Sequence, residues 1–159
     1  MHYQYYYDSP IGTFTIESNG THITRIYRAE GPTQSDDIGN CQPIVMAVEW
    51  LNRYFSGSNP GPVPPLMPSG SEFALKVYYA ALSIGYSHTA TYAHIASLIG
   101  SPGAARAVGR ALGANPIMIM IPCHRILGSD GSLTGFAAGL EVKRALLGLE
   151  SGQRVLPRL

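Results

Sequence analysis

Apolar positions along the first third of the chain change period once. Tyr3, Tyr5 and Tyr7, then Phe14 and Ile16, alternate with their neighbours and are rich in β-forming side chains, the period of two expected of strands. Asn19-Gly20 falls between residues 13–18 and 21–27, a strong signal for a two-residue hairpin. These stretches predict a small antiparallel sheet. After Pro43, Ile44, Val48, Leu51, Tyr54 and Phe55 recur at helical spacing. This helix is expected to pack its aromatic and aliphatic face on the sheet, and no chemistry is visible in it.

Residues 57–70 hold five prolines among glycines and serines and form the one clear boundary, an extended and semi-rigid connector. Beyond it the pattern is helical. Phe73, Leu75, Val77, Tyr78, Ala81 and Leu82 mark an amphipathic helix over 72–83 that Gly85 ends. Thr91 is placed to cap a helix over 92–99, closed by Gly100. Ser101-Pro102 then predicts the start of the next helix, with a capping hydroxyl and a proline at the first helical position. Together these read as a helix-turn-helix. Its second helix carries Ala104, Ala105, Ala107 and Gly109, a smooth surface from which Arg106 and Arg110 project. Small side chains permit close approach to a nucleic-acid groove, and arginines reach phosphates or bases. The same composition also suits a packed helix with a solvated arginine face.

The stretch 115–125 stands apart. Ile117, Met118, Ile119, Met120 and Ile121 form an apolar run too short for a membrane span, read as a buried strand or extended segment. Pro122 stops it and delivers Cys123, His124 and Arg125 side by side. A thiol there can feel unpaired backbone N–H groups and basic neighbours, conditions that lower its pKa and favour the nucleophilic thiolate. A small buried core residue is the plain alternative for Cys123. Further on, 128–132 is a turn cluster and 133–139 a loop of small residues around Phe136. A final helix over 140–149 would turn Leu140, Ala145, Leu146 and Leu149 inward and Lys143 and Arg144 outward. Glu150, at a helix C-terminus that disfavours a carboxylate, calls for a partner such as His124 or an arginine.

Length and composition narrow the setting. A chain of 159 residues, 45% hydrophobic, is long enough to bury a core without staples. Its two cysteines, Cys41 and Cys123, make no disulfide framework and lack metal-site spacing, and Cys41 reads as structural. No signal peptide and no apolar stretch of spanning length is visible, so a soluble, cytoplasmic protein is expected. The formal charge of +1 is unevenly spread. Residues 1–71 carry three basic against six acidic side chains, and 72–159 eight against four. An anionic partner would be met by the C-terminal half.

These separate signals resemble one family, the O6-alkylguanine-DNA alkyltransferases. The resemblance rests on Tyr92, Ile95-Ala96, Ile99-Gly100, Pro102, Ala105-Arg106-Ala107-Val108-Gly109, Asn115-Pro116, Ile121-Pro122-Cys123-His124-Arg125-Ile126, Leu133-Thr134-Gly135, Gly139-Leu140 and Glu150. Residues 7–12 look like the start of the family's N-terminal domain. The resemblance implies an α+β fold: an N-terminal α/β domain over 1–56, a linker over 57–71 and a mostly helical DNA-binding and alkyl-acceptor domain over 72–159. It implies single-turnover transfer of a methyl or other alkyl group from O6-alkylguanine in double-stranded DNA to Cys123, with O4-alkylthymine left open as a second substrate. His124 would act as base through a water, Glu150 would orient it and Asn115 would brace the turn. Arg106 would fill the space of an extruded nucleotide and Tyr92 would assist flipping, with Ala105, Arg110 and Arg125 also at the DNA. Leu112, Ile126, Phe136 and Ala137 would form the base pocket. The partner would be duplex DNA bound through the minor groove with little sequence preference by a monomer, with no cofactor, no metal and no membrane.

Some positions depart from the family pattern. Phe136 stands where tyrosine is usual, and Ala137 and Ala138 replace small polar residues or glycine. Ile84-Gly85-Tyr86-Ser87 replaces Ile-Pro-Tyr-Gly. Two other readings compete: a lesion-recognition protein that flips the alkylated base without accepting the alkyl group, and a cysteine hydrolase built on Cys123, His124 and Glu150. Relatives of the first kind replace the acceptor cysteine, which this chain keeps. The second needs an oxyanion hole and turnover.

Overall fold

The computed structural model describes residues 2–30, 41–132 and 139–152. Strands β1 (Tyr3–Ser9), β2 (Gly12–Ser18) and β3 (Ile23–Arg28) form an antiparallel sheet in that order. The hairpin between β2 and β3 is longer than the two residues expected. Asn19 Oδ1 accepts from the backbone N–H of both Thr21 and His22, at 3.0 and 2.9 Å, so four residues are gathered into the turn. A local irregularity at Glu17/Ser18 then sets Ser18 opposite Ile23.

Helix α1 (Gln42–Phe55) begins with proline in its first turn and buries Ile44, Ala47, Trp50, Leu51 and Tyr54 along one face, which packs on the sheet. The proline-rich connector is tied down as it passes. Ile23 donates to Pro65 O and Met67 donates to Ile23 O, both at 2.8 Å, so the connector runs beside β3 like a further edge strand. Trp50 Nε1 holds Gly61 O at 3.0 Å and Arg53 Nε holds Pro60 O at 3.1 Å.

The rest of the chain adds helix α2 (Glu72–Ala81), capped by Ser71 Oγ, and a short strand β4 (Ala90–Thr91). Helix α3 (Tyr92–Leu98) is capped by Thr91 Oγ1 as its sequence predicts, with a 3.1 Å bond from His94 N. Helix α4 (Ala105–Gly113) starts later than expected. Gly100, at φ +78°, ends α3, and Ser101 N turns back to Ala96 O at 2.9 Å. Residues 101–104 are used up in that reversal, so Ala104 takes the cap position without a side-chain hydrogen bond. A single 3₁₀ turn, Cys123–Arg125, leads into β5 (Ile126–Leu127), which pairs in parallel with β4. Helix α5 (Leu140–Glu150) closes the fold. The class is α+β, as expected.

The apolar run 117–121 is buried throughout, but it is not a strand. Only Ile117 bridges, in parallel, to Ile26 of β3. Beyond it the chain coils: Ile121 N donates to Ile117 O at 3.1 Å, Met120 N donates to Met118 O at 2.8 Å, and Ile119 sits at φ +72°. A β-branched residue in the left-handed region is strained and persists only where its surroundings over-determine it. Here complete burial of the five side chains and the Asn115 side chain do so. Asn115 Nδ2 donates to Ile121 O at 2.9 Å and its Oδ1 accepts from Ile117 N at 3.0 Å, closing the loop at both ends. Helix α5 also differs from its expected facing. Leu140 is 44% exposed, whereas Lys143 is fully buried with Nζ on Ile126 O at 2.7 Å.

Replacing Asn115 by Ala leaves a buried N–H and a buried carbonyl without their partners. Asn115→Ala is expected to lower the unfolding free energy by about 2–4 kcal/mol, read as a shifted urea midpoint with an unchanged slope. A loss under about 0.5 kcal/mol would show that the loop does not depend on this brace.

Candidate functional site

Cys123 opens the 3₁₀ turn just after Pro122, and the residue is 4% exposed. Its Sγ accepts from Asn115 Nδ2 at 3.2 Å, so the residue that braces the coiled loop also touches the thiol. Burial dominates the thiol and pushes its pKa up to about 11, although the Asn115 hydrogen bond and the Lys143 charge pull the other way. The sequence reading of a lowered pKa is therefore corrected. The backbone donors and basic neighbours exist, but desolvation outweighs them. At rest this is a neutral thiol.

One residue along, His124 is completely buried and its Nε2 meets Glu150 Oε2 at 2.5 Å. Glu150 closes α5 and is itself 5% exposed. Its two oxygens are shared out with little slack. Oε2 takes His124 and the Tyr54 hydroxyl, the latter at 2.6 Å. Oε1 takes Arg125 Nε at 2.8 Å and the backbone N–H of Ser87 at 3.1 Å. Ser87 Oγ also donates to the Glu150 backbone carbonyl at 2.5 Å. Burial pushes the Glu150 carboxyl up, but the hydrogen bonds and charges of His124 and Arg125 outweigh it and hold the pKa at about 2. Burial pushes His124 below the ordinary histidine value, against the pull of Glu150. An ionised Glu150 fixes the ring proton on Nε2, because a carboxylate can only accept. Basicity then lies on Nδ1, which is buried and has no hydrogen-bond partner among the described residues.

A second feature lies on the helix-turn-helix. Tyr92, Ala93, Ala105, Arg106, Gly109 and Arg110, with Ser129, line an open groove of about 570 Å³. Arg106 and Arg110 are exposed, and Gly109 leaves room beside the Tyr92 ring, which a methyl group there would meet at 3.8 Å. The β4–β5 pairing holds the start of α3 against the chain leaving Cys123. Lys143 joins the two features, with Nζ 5.9 Å from the Tyr92 ring centroid and its charge felt by the thiol.

The structure thus brings Cys123, His124, Glu150 and Asn115 into one buried cluster, and gathers Tyr92, Ala105, Arg106 and Arg110 around one groove. Arg125 is not among the groove residues. It is 7% exposed, paired with Glu150, and donates from a terminal nitrogen to Ile84 O at 2.8 Å, so its expected place at the DNA surface is corrected. Leu112 and Ile126 are buried. Phe136 and Ala137 lie outside the described residues. The sequence reading missed Tyr54, whose partner is 96 residues away, on a helix with no visible chemistry. Ser87 left a trace in its departure from the usual glycine. It adopts φ +67°, a conformation glycine favours, and uses its hydroxyl on α5. Among the described residues, no group of three or more His, Cys, Asp or Glu side chains could hold a metal ion, and no helix is long and apolar enough to cross a membrane.

Known proteins resemble this chain in sequence and fold. A family model described as the DNA binding domain of 6-O-methylguanine DNA methyltransferase matches residues 72–152. A second, described as the ribonuclease-like domain of 6-O-methylguanine DNA methyltransferase, matches residues 1–60. The methylated-DNA–protein-cysteine methyltransferase of Mycobacterium bovis is 42% identical over 149 residues, which is 92% of this chain and 90% of that protein. The crystal structure of the Mycobacterium tuberculosis O6-methylguanine methyltransferase superposes with a TM-score of 0.85 at 40% identity, covering 96% of this chain and 94% of its own. That of Mycobacterium tuberculosis OGT in complex with DNA gives 0.82 at 41% identity, covering 93% and 92%. The chain belongs to the 6-O-methylguanine DNA methyltransferase family.

The Glu150 site makes stability fall in acid. Its folded pKa lies below the unfolded value, so between about 4.5 and about 2 the unfolded chain binds the proton first and acid favours unfolding. His124, also lowered, adds a loss of the same sign that begins nearer its ordinary value of 6.5. Glu150→Gln is expected to be less stable than the parent near neutrality by on the order of 3 kcal/mol. Denaturant midpoints measured from pH 6 to pH 2 should show that gap closing as pH falls. A gap that stays constant over this range would contradict the assignment.

Proposed function

We propose that this protein repairs DNA by moving a methyl or other alkyl group from O6-alkylguanine in duplex DNA to Cys123 Sγ, once per molecule. The observation that supports it most directly is the thiol held by Asn115, on the residue next to a buried imidazole whose Nε2 is locked on Glu150. Burial holds the thiol above its ordinary pKa, so it is protonated at rest and gives up its proton as it attacks. His124 takes the thiol proton through a water, Glu150 steadies the imidazolium, and Sγ attacks the alkyl carbon. The S–C bond forms as the C–O6 bond breaks. The proton given up by sulfur ends on the guanine, which returns to its keto form. No step regenerates the thiol from the thioether, so the protein is consumed.

A base inside the duplex cannot reach the thiol of a residue only 4% exposed, so the nucleotide must leave the stack, at a cost of a few kcal/mol. Arg106 enters the duplex in its place, and Tyr92 assists at the neighbouring phosphate, with Ala105 allowing close approach and Arg110 a phosphate contact. Leu112, Ile126, Phe136 and Ala137 are assigned to the pocket that receives the base. Binding is through the minor groove, with little sequence preference. The division of the chain at residues 56 and 71, action as a monomer in the cytoplasm and independence of any cofactor belong to the same reading. Two unpaired cysteines suit a reducing compartment.

The test is intact mass after incubation with duplex DNA carrying O6-methylguanine. One methyl group should appear, mapped to the peptide containing Cys123, and a second equivalent of DNA should remain unrepaired. Tight lesion binding with an unshifted mass would instead identify a recognition protein. A methyl on another residue would overturn the assignment of Cys123.

A further inference from the structure

We propose that Tyr54, supplied by α1 from the N-terminal part of the chain, is a positioning residue for alkyl transfer, because its hydroxyl and His124 Nε2 share one oxygen of Glu150. The inference rests on the reading of Cys123 as alkyl acceptor and assigns that reaction a participant from outside the C-terminal module.

The geometry is specific to the hydroxyl. Tyr54 is fully buried, donates to Glu150 Oε2 at 2.6 Å and lies 3.4 Å from His124 Nε2. Its ring is packed independently of that bond, stacked on Trp50 at 5.4 Å and edge-on to Phe55 at 5.2 Å. A phenylalanine would therefore keep the packing and lose only the donor. Burial, then the Glu150 charge, keep Tyr54 protonated well above the ordinary tyrosine value, so it serves as a fixed donor. That donor takes part of the negative charge at the oxygen facing His124. Without it, Glu150 stabilises the imidazolium more strongly, and His124 holds a proton at higher pH, where it can no longer accept one from the thiol. The groups acting on His124 are Glu150, which favours its charge, and Arg125 and Lys143, which oppose it, with the Cys123 thiol on the adjoining residue. The hydroxyl of Tyr54 trims the one attractive contribution.

The experiment uses the full chain with Tyr54→Phe, and separately with 3-fluorotyrosine at position 54, a stronger donor of the same shape. Side-chain ¹⁵N shifts of His124 are followed against pH without DNA, and single-turnover methyl transfer is timed on duplex DNA. Tyr54→Phe should raise the His124 midpoint by about one pH unit and move the pH below which single-turnover transfer falls off upward by the same amount, with the rate well above that midpoint little changed. The fluorinated side chain should move the midpoint the other way. If Tyr54→Phe does not fold, the fluorinated protein decides alone. A His124 midpoint unmoved by either change overturns the proposal, whether or not transfer slows. Should the parent protein accept no methyl group while the two variants shift the His124 midpoint as described, the alkyl-transfer reading fails and the control of His124 by Tyr54 stands.

Discussion

The structure around the thiol depends on one buried carboxylate. Glu150 ends a helix, where the macrodipole opposes it by about 0.3–1 kcal/mol, yet its oxygens engage four donors from three other parts of the chain. Tyr54 comes from α1, Ser87 from the turn before β4, and His124 and Arg125 from the 3₁₀ turn. Removing one partner from a buried, hydrogen-bonded charge costs about 3–5 kcal/mol. Elements distant in sequence are therefore tied to one point. The tie also orients the imidazole, so fold stability and site geometry rest on the same contacts.

The backbone before Cys123 shows a related economy. A chain that must place a thiol at a fixed depth cannot rely on a mobile loop. The run 117–121 is instead coiled, buried, strained at Ile119 and closed by Asn115, whose amide also reaches the thiol. Burial makes that thiol a poor nucleophile at rest, since desolvation penalises the thiolate. Reactivity is then confined to the moment when a base can take the proton and an electrophile is seated. Such a site suits a residue that reacts only once.

How much of this was legible beforehand follows from what each residue's role depends on. The α+β class, the cap at Thr91 and the face of α1 follow from local periodicity and capping, and the structure has them. Where competing terms are non-local, the sequence misled. Ile-Met-Ile-Met-Ile has strand composition, but its course is decided by Asn115 and by the need to reverse direction. Ser101-Pro102 is a good helix start, overruled by the left-handed ending at Gly100. Lys143 was placed outward by charge and Arg125 at the DNA by the family resemblance. Both are buried, because each finds an acceptor inside: Ile126 O for Lys143, and Glu150 with Ile84 O for Arg125. Tyr54 had no signal of its own, since an aromatic on a packing face looks the same with or without a carboxylate behind it.

The account's central claim is that the Glu150 carboxylate makes His124 an effective base for Cys123. Single-turnover transfer from O6-methylguanine duplex to Glu150→Gln, at a pH where the variant is folded and with DNA affinity measured alongside, tests it most directly. The account predicts a rate about a hundredfold or more below the parent, with DNA affinity essentially unchanged. Transfer at the parental rate would contradict it.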